Sequence, residues 1–249
     1  MRHVVGTHAS GSSEHRVSKP AIDPALPQGD EKVRAVREMF DTIAPRYDLV
    51  NRVMTFRMDV GWRRRTIREL RLAAGSTVLD LACGTGDFCR ELIKNHIRPI
   101  GVDLSFGMLA AARTDAPLLQ ADILRLPMPD ASVDGATCGF ALRNLVELDS
   151  FFVELARVVR PGGRIALLEV AEPKNPVLRA GHGVYFGKVV PRIGALLSDG
   201  AAYRYLPKSV AYLPKPDAML ATLRSAGFVN VERILLSTGI SQLIVATRA

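Results

Sequence analysis

The feature that most constrains the fold is residues 78–87, VLDLACGTGD, in which a short apolar run leads through Asp80 into a tight glycine turn. A Val/Leu run bounded by such a turn is typical of a buried parallel strand, and the amphipathic residues 88–94 predict the helix that follows. Gly84 and Gly86 let the backbone approach a ligand closely, and the first turn of the next helix offers unpaired amides. The segment therefore predicts a small-molecule site within an α/β sheet.

The next two predicted strands also end in carboxylates, Asp103 and Asp122. Asp103 lies 17 residues beyond Gly86, and in a doubly wound sheet an acid at about this distance binds the ribose hydroxyls of a nucleoside. Asp122 can accept a hydrogen bond from an exocyclic amine, and Ile123 can lie against the base. Together the strand ends predict a nucleoside site.

The pattern of glycines limits which nucleoside the site can take. The chain contains no GxxxxGK[ST] segment, so a Walker loop is excluded. Cys89 stands where the third glycine of a dinucleotide-binding GxGxxG would fall. A nucleoside without a pyrophosphate fits better, and S-adenosylmethionine is the commonest candidate. No metal site is predicted, because scattered tail histidines are more often inert than ligands.

The chain is expected to comprise a disordered tail over residues 1–29 and one folded domain over residues 30–249. Residues 30–72 predict N-terminal helices, in which Tyr47 and Asn51 lie four residues apart on one face. These two polar side chains can reach one ligand, although a surface face without function is an equally good interpretation of the spacing.

An aromatic-rich segment, residues 172–216, interrupts the alternation of strands and helices. It predicts a lid over a hydrophobic substrate, with a packed helical hairpin as the alternative. His182 within it is flanked by glycines and is expected to be a solvated loop histidine. Glu169, near the end of the predicted fifth strand, is either a site residue or an isolated edge acid.

The net charge of +8 permits nucleic acid, an anionic membrane surface or acidic small molecules as partners. Residues 62–71 predict a helix with five arginines, which can contact anionic lipid or form a solvated charged face. No apolar run is long enough to span a bilayer, and no signal peptide is predicted. We therefore expect a cytoplasmic protein whose membrane contact, if any, is peripheral at the inner face.

Several motifs resemble those of a known enzyme family. The glycine turn with its two following acids resembles the class I methyltransferase signature. The more specific segments, FDTIAPRYDLVN, FALRN, RPGG, PRIG and YRYL, resemble the ubiquinone and menaquinone C-methyltransferases over about residues 33–236. The resemblance implies a Rossmann-like sheet with helices on both faces, S-adenosylmethionine as the methyl donor and a hydrophobic prenylquinol as the acceptor.

The resemblance also implies roles for individual residues. Thr85, Asp103, Asp122 and Ile123 match positions that contact the cofactor, and Gly139 stands where the family often has a serine. Arg143 and Asn144 are expected to face the quinol ring and carry the catalysis. The complete predicted site comprises Asp80, Gly84, Thr85, Gly86, Asp103, Asp122, Ile123 and Gly139 for the cofactor, Arg143 and Asn144 for catalysis, and Tyr47, Asn51 and Tyr203 for the substrate.

The expected reaction is methyl transfer to a ring carbon of a demethylated quinol. Arg143 is expected to stabilise the developing oxyanion or to hold a water that takes the proton, since it stays protonated itself. The C-terminal segment, residues 239–248, departs from the family pattern, which leaves another hydrophobic or secondary-metabolite acceptor as an alternative. An RNA-binding methyltransferase or a non-catalytic binding module is a second alternative; no nucleic-acid motif supports it. Oligomerisation is left open.

Overall fold

A computed structural model describes residues 28–190, 192–193, 205 and 209–249. Nearly all of the predicted disordered tail lies outside these residues. Tyr203, the third predicted substrate contact, also lies outside them. In the part of the chain that the structure describes, no helix is both long enough and apolar enough to cross a membrane.

A seven-stranded sheet with the order β3-β2-β1-β4-β5-β7-β6 forms the centre of the fold. Strands β1 to β5 run parallel, and β7 pairs antiparallel with both β5 and β6. This arrangement confirms the predicted Rossmann-like α/β fold. The strands are β1 Thr77–Leu81, β2 Arg98–Asp103, β3 Leu118–Gln120, β4 Val133–Gly139, β5 Val159–Val170, β6 Phe228–Leu236 and β7 Ser241–Arg248.

Helices alternate with the parallel strands and also precede and follow them. The helix α7 continues into a π-helical turn, Tyr185–Val189. The helices are α1 Gly29–Ile43, α2 Tyr47–Met54, α3 Met58–Leu70, α4 Asp87–Lys94, α5 Phe106–Ala110, α6 Leu148–Val158, α7 Pro176–Val184 and α8 Pro216–Ser225.

The sheet buries both of its faces, which is why its strands read as continuous apolar runs. Adjacent residues of β1 point to opposite faces: Val78 packs in a cluster with α3 and α4, and Leu79 packs in a cluster with α6 and α8. The arginine-rich helix α3 contributes Trp62, Ile67 and Leu70 to the first cluster. Because the core covers the two faces of the sheet, the carboxyl edge of the parallel strands is the place that remains for a site.

Three element boundaries are worth noting: the end of β3 and the starts of α5 and β5. Strand β3 ends at Gln120 because the Asp122 carboxylate accepts the Leu124 amide at 2.9 Å and turns the chain. Helix α5 starts after Ser105, whose hydroxyl caps the Met108 amide at 3.0 Å. Strand β5 begins at Val159 and includes the Arg-Pro-Gly-Gly segment, residues 160–163.

Candidate active site

The glycine turn after β1 and the carboxyl ends of β2 and β4 surround one cavity, which we call the turn cavity. Five of the eight residues predicted to bind the cofactor line it. Asn144 and Tyr47, predicted for the acceptor, line it as well. The five are Gly84, Asp103, Asp122, Ile123 and Gly139.

Asp103 fastens the glycine turn to the second strand. Its two carboxylate oxygens accept the Gly84 amide at 2.8 Å and the Ser105 amide at 2.9 Å. Burial raises the pKa of Asp103, and these amide hydrogen bonds oppose the rise. A carboxylate has about four lone-pair sites. Acceptor capacity therefore remains on Asp103 for two hydroxyl groups of a ligand.

Gly139 occupies a position where a larger residue does not fit without a rearrangement. A Cβ atom added to Gly139 would lie 2.5 Å from the Cε2 atom of Phe88. Phe88 is itself buried in the cluster under α3 and α4. The serine that the family often has here would therefore require Phe88 to move.

The other three predicted cofactor residues do not line the turn cavity. Asp80 is only 1% exposed and accepts hydrogen bonds from Thr137 at 3.0 Å and from the Cys89 thiol at 3.3 Å. Thr85 donates its hydroxyl to Asp48. Gly86 has φ +82°, and a Cβ there would lie 2.7 Å from the Thr114 methyl. These residues support the turn on the side away from the cavity. The side chains of Asp80 and Thr85 make their hydrogen bonds to other protein groups.

Asp80 also predicts a measurable pH dependence. Burial raises its pKa from 3.8 to about 7, so the folded chain holds a proton between these pH values that the unfolded chain has released. The free energy of unfolding therefore falls as the pH rises through this range, by at most about 1.4 kcal/mol per pH unit. We expect Asp80→Asn to remove this fall, which urea unfolding from pH 4 to 8 would measure.

The matched control for this prediction is Asp115→Asn, since Asp115 is exposed. At each pH, the difference in the free energy of unfolding between wild type and a variant reports the contribution of the one carboxyl group that the variant lacks. Equal pH slopes for wild type and Asp80→Asn would contradict the prediction.

A second, larger cavity of about 370 Å³ adjoins the turn cavity, and we call it the apolar cavity. Its wall comes from α1, α2, α3, α7 and the ends of β4 and β5. Phe40, Tyr47 and Phe140 line both cavities. The two spaces therefore meet at these three rings, which is where a group can pass from a ligand in one to a ligand in the other.

Arg143 lines the apolar cavity and is the centre of a buried polar cluster. The Arg143 side chain is buried, pairs with the fully buried Glu169 and donates its Nε to the Ser209 hydroxyl at 3.1 Å. The Arg143 amide also donates to Glu169 at 3.2 Å. Glu169, left undecided by the sequence, is thus the partner of the predicted catalytic arginine.

Tyr47 and Asn51 lie together in the apolar cavity, as their spacing predicted. Burial raises the pKa of the Tyr47 phenol, while a hydrogen bond with Asn51 and the charges of Arg143 and Arg63 oppose the rise. The phenol therefore stays protonated at neutral pH and acts as a hydrogen-bond donor.

Arg63 is a wall residue of the apolar cavity that the sequence did not single out. Its guanidinium pairs with Asp59 one turn earlier and with Asp87 at 3.0 Å. The sequence placed it on a charged outer face because five arginines follow one another closely. The i, i+4 spacing of Asp59 and Arg63 was the available signal for an internal pair.

Lys32 is a second residue that the sequence did not reveal. Its ammonium donates to the carbonyl oxygens of Arg143 at 3.1 Å and Leu145 at 2.9 Å, and lies 3.6 Å from the Tyr212 ring centroid. Burial lowers the pKa of Lys32 to about 8. Lys32 thus fastens α1 to the segment that carries Arg143 and Asn144.

His182 is not the solvated loop histidine that its glycine neighbours predicted. It lies on α7, lines the apolar cavity and stacks on Phe186 at 4.4 Å between ring centroids. Its Nε2 atom is shielded from water and has no hydrogen-bond partner among the described residues.

Comparison with known proteins places the whole folded region in one group. The sequence profile of the ubiE/COQ5 methyltransferase family matches residues 28–248. The ubiquinone/menaquinone biosynthesis C-methyltransferase UbiE of Syntrophotalea carbinolica is 41% identical over 222 residues, covering 86% of this chain and 94% of that protein. The demethylmenaquinone methyltransferase of Deinococcus radiodurans is 44% identical over 221 residues, covering 84% and 92%.

Solved structures of similar fold are more distant in sequence. A SAM-dependent methyltransferase from Aquifex aeolicus matches with a TM-score of 0.54 at 18% identity, covering 75% of this chain and 89% of that one. A Haemonchus contortus phosphoethanolamine N-methyltransferase in complex with S-adenosylhomocysteine matches with a TM-score of 0.57 at 13% identity, covering 76% and 52%. At these identities the likeness concerns the fold.

Proposed function

The chain belongs to the ubiE/COQ5 methyltransferase family, and on that premise we propose that it methylates a ring carbon of a demethylated prenylquinol of the menaquinone type. It is an S-adenosylmethionine-dependent methyltransferase, so the non-catalytic binding module is no longer an alternative. Relatives named demethylmenaquinone methyltransferase support this acceptor.

The observation that carries the proposal is the pair of adjoining cavities with opposite chemistry. The turn cavity offers two carboxylates, Asp103 and Asp122, and an apolar wall, which suit the ribose and base of an adenosyl group. The apolar cavity has mostly hydrocarbon and aromatic walls, with polar groups at Arg143, at the Asp59–Arg63 pair, and at Asn51 and His182. An isoprenoid chain matches the apolar walls, and a hydroxylated ring matches the polar cluster.

We assign the methyl donor to the turn cavity. Asp103 would accept the ribose hydroxyls, Asp122 would accept the exocyclic amine, and Ile123 would pack on the base. The bound donor supplies an electrophilic methyl group on a sulfonium. Gly84 keeps the turn narrow, whereas the buried Asp80 acts on the donor only through the shape of the turn.

We assign the ring of the acceptor to the place where the cavities meet. Tyr47 and Asn144 reach the ring from the turn-cavity side, and Asn51 from the apolar side. Arg143, whose charge is held by Glu169, is placed to stabilise negative charge on a ring oxygen as it develops. The aromatic walls exclude water, which leaves positioning as the main contribution of the protein.

The test incubates the purified chain with methyl-labelled S-adenosylmethionine and a panel of acceptors. We expect label on a demethylated naphthoquinol with a short prenyl chain, and little on a benzoquinol, on a soluble polyphenol or on RNA. Label on the polyphenol alone would favour the secondary-metabolite alternative. Label on RNA, lost steeply with added salt, would favour the RNA-binding alternative.

We propose that the arginine-rich helix α3 is not the only surface available for membrane contact, if the acceptor is delivered from a bilayer. Arg63 is buried, and Arg64, Arg65 and Arg71 are within salt-bridge distance of Glu91 or Glu69. Arg68 is exposed as well, so two glutamates offset only part of the charge of four exposed arginines. Contact of residues 62–71 with anionic lipid therefore stays a prediction.

A second surface for an anionic bilayer surrounds the mouth of the apolar cavity. Exposed apolar side chains crowd the ends of α2 and α7, which Tyr185 joins through a hydrogen bond to the Met54 carbonyl at 2.8 Å. Residues 173–193 carry four basic and no acidic side chains. The exposed apolar residues of this rim are Leu49, Val53, Phe56, Val177, Leu178 and Val184.

The rim predicts a specific loss of vesicle binding. Leu49 and Val184 are 56% and 55% exposed and do not line the apolar cavity. We expect Leu49→Asp with Val184→Asp to weaken sedimentation with phosphatidylglycerol vesicles about tenfold, because two apolar insertions are lost and two like charges face the lipid. Turnover of a detergent-solubilised short-chain quinol is expected to stay unchanged.

Val153→Asp is the matched control, since Val153 lies on α6 with 61% of its surface exposed. It adds the same charge away from the rim and is expected to leave vesicle binding unchanged. If both variants weakened vesicle binding equally, the added negative charge alone would explain the loss, and this would contradict the rim as the contact surface.

A further inference from the structure

The reaction proposed above needs a group that takes the proton from a ring hydroxyl, and most polar groups of the apolar cavity are unsuited to that task. Arg63 and Arg143 stay protonated. The phenol of Tyr47 also stays protonated at neutral pH, because burial raises its pKa. These three side chains can donate hydrogen bonds to the acceptor but cannot take its proton.

The carboxylates near the cavity already have partners. Asp59 accepts the Thr55 hydroxyl at 2.7 Å and pairs with Arg63. Glu169 pairs with Arg143 and accepts the Val170 amide at 2.8 Å. Protonating Glu169 would leave the buried Arg143 without its counter-charge, which is costly. Protonating Asp59 would weaken its ion pair with Arg63, which would keep Asp87 as a partner.

His182 is the remaining titratable group on this wall whose basic nitrogen is unengaged within the described chain. The imidazole lines the apolar cavity, and its Nε2 atom is shielded from water without a hydrogen-bond partner. An unsatisfied buried polar atom costs about 1–3 kcal/mol. A ligand hydroxyl in the apolar cavity would remove that cost.

Resting on the proposed function, we propose that His182 is the general base of the reaction and takes the proton of the acceptor's ring hydroxyl at Nε2. The O–H bond breaks, and its electron pair stays on the oxygen and moves into the ring. The ring carbon then forms a bond to the methyl carbon while the carbon–sulfur bond breaks, its electron pair remaining on sulfur.

The remaining protons balance as the ring becomes aromatic again. The methylated carbon loses its hydrogen as a proton to water, and the imidazolium returns its proton to the ring oxygen. The net proton released is therefore the one from carbon. No oxidant or reductant is required, and Arg143 keeps its charge throughout to stabilise the oxygen anion.

The electrostatic surroundings keep His182 neutral. Burial lowers its pKa, opposed by the charge of Glu172 on the segment after β5. The other titratable or charged groups that line this cavity are Tyr185 on the adjoining turn, the Asp59–Arg63 pair on α3, Tyr47 on α2, and Arg143 with its partner Glu169. A neutral imidazole at pH 7 is the form that accepts a proton, so the general base is ready without a further partner.

The test compares wild type with His182→Gln across pH, using the short-chain naphthoquinol. We expect kcat of the variant at pH 7 to fall about 100-fold, in the range of general-base contributions, with KM changed less than threefold. The wild-type rate should fall on acidification as the imidazole protonates. The variant should show no such fall in rate on acidification. Its rate should rise at alkaline pH, where the ring hydroxyl of the acceptor ionises without a base, so that its kcat approaches that of wild type.

A second measurement does not depend on turnover. Nitrogen NMR of the histidine side chains should show one imidazole whose Nε2 signal shifts when the naphthoquinol is added without the methyl donor, and this signal should be missing from His182→Gln. The control His96→Asn changes an exposed histidine with left-handed backbone, φ +58°, which asparagine tolerates. Its kcat and pH profile should match wild type.

The outcomes separate this inference from the proposed function. If wild type methylates no quinol, the proposed function fails first. If wild type is active and His182→Gln keeps both its rate and its fall in rate on acidification, a water held by Arg143 takes the proton and the inference is overturned. A loss of equal size at every pH would assign His182 to packing and would also overturn it.

Discussion

The Asp103→Ala variant is expected to bind S-adenosylmethionine about 1,000-fold more weakly than wild type. Two hydrogen bonds from ribose hydroxyls to a carboxylate are worth about 2 kcal/mol each, which together correspond to this factor. The variant also releases the Gly84 and Ser105 amides, which the carboxylate accepts at 2.8 and 2.9 Å. Isothermal titration calorimetry of the donor alone measures the affinity without requiring turnover.

Asp115→Ala is the control for this prediction, because it removes an exposed acid close in the chain and changes the net charge equally. It is expected to bind the donor as wild type does. An affinity of Asp103→Ala within threefold of wild type would contradict the assignment of the ribose to Asp103. A thermal unfolding curve for each variant shows whether the turn still folds.

Residues fixed by local chain geometry could be predicted from the sequence. The apolar run and glycine turn gave the first strand, and the acids at the following strand ends gave Asp103 and Asp122 at the turn cavity. These predictions succeeded because parallel strands deliver their carboxyl ends to the same edge of a sheet. Asp80, also predicted as a cofactor contact, does not line the turn cavity, and its carboxylate accepts hydrogen bonds from Thr137 and Cys89.

Residues whose role depends on distant partners could not be predicted. Lys32 reaches the carbonyl of Arg143, 111 positions along the chain, and Glu169 pairs with Arg143 across 26 positions. Nothing in the local spacing of either residue indicates the partner, because charged side chains in amphipathic segments are ordinarily solvated. His182 was misplaced for a related reason, since neighbouring glycines lower helix propensity and tertiary packing overrides them.

The second large effect concerns the buried ion pair between Glu169 and Arg143, the residue proposed to stabilise the ring oxygen. Glu169→Leu is expected to lower the free energy of unfolding by about 3–5 kcal/mol, because it leaves the Arg143 charge buried and uncompensated. For a chain of this size, each kcal/mol corresponds to about 2–4 °C in Tm, so thermal unfolding should shift by about 10 °C. Arg143→Met strands the Glu169 charge in the same way and should be destabilised comparably.

The double variant Arg143→Met with Glu169→Leu separates stability from chemistry. Replacing both charges by apolar groups of similar size is often neutral for stability, so Tm should return to within a few degrees of wild type. Turnover should nevertheless stay about 1,000-fold below wild type, since the charge that stabilises the ring oxygen is gone. If the double variant recovered both Tm and turnover, Arg143 would only be part of the packing. Loss of Tm in all three variants would mean that Ser209 and the backbone around Arg143 require the pair for folding, and donor binding would then tell whether the turn cavity survives alone.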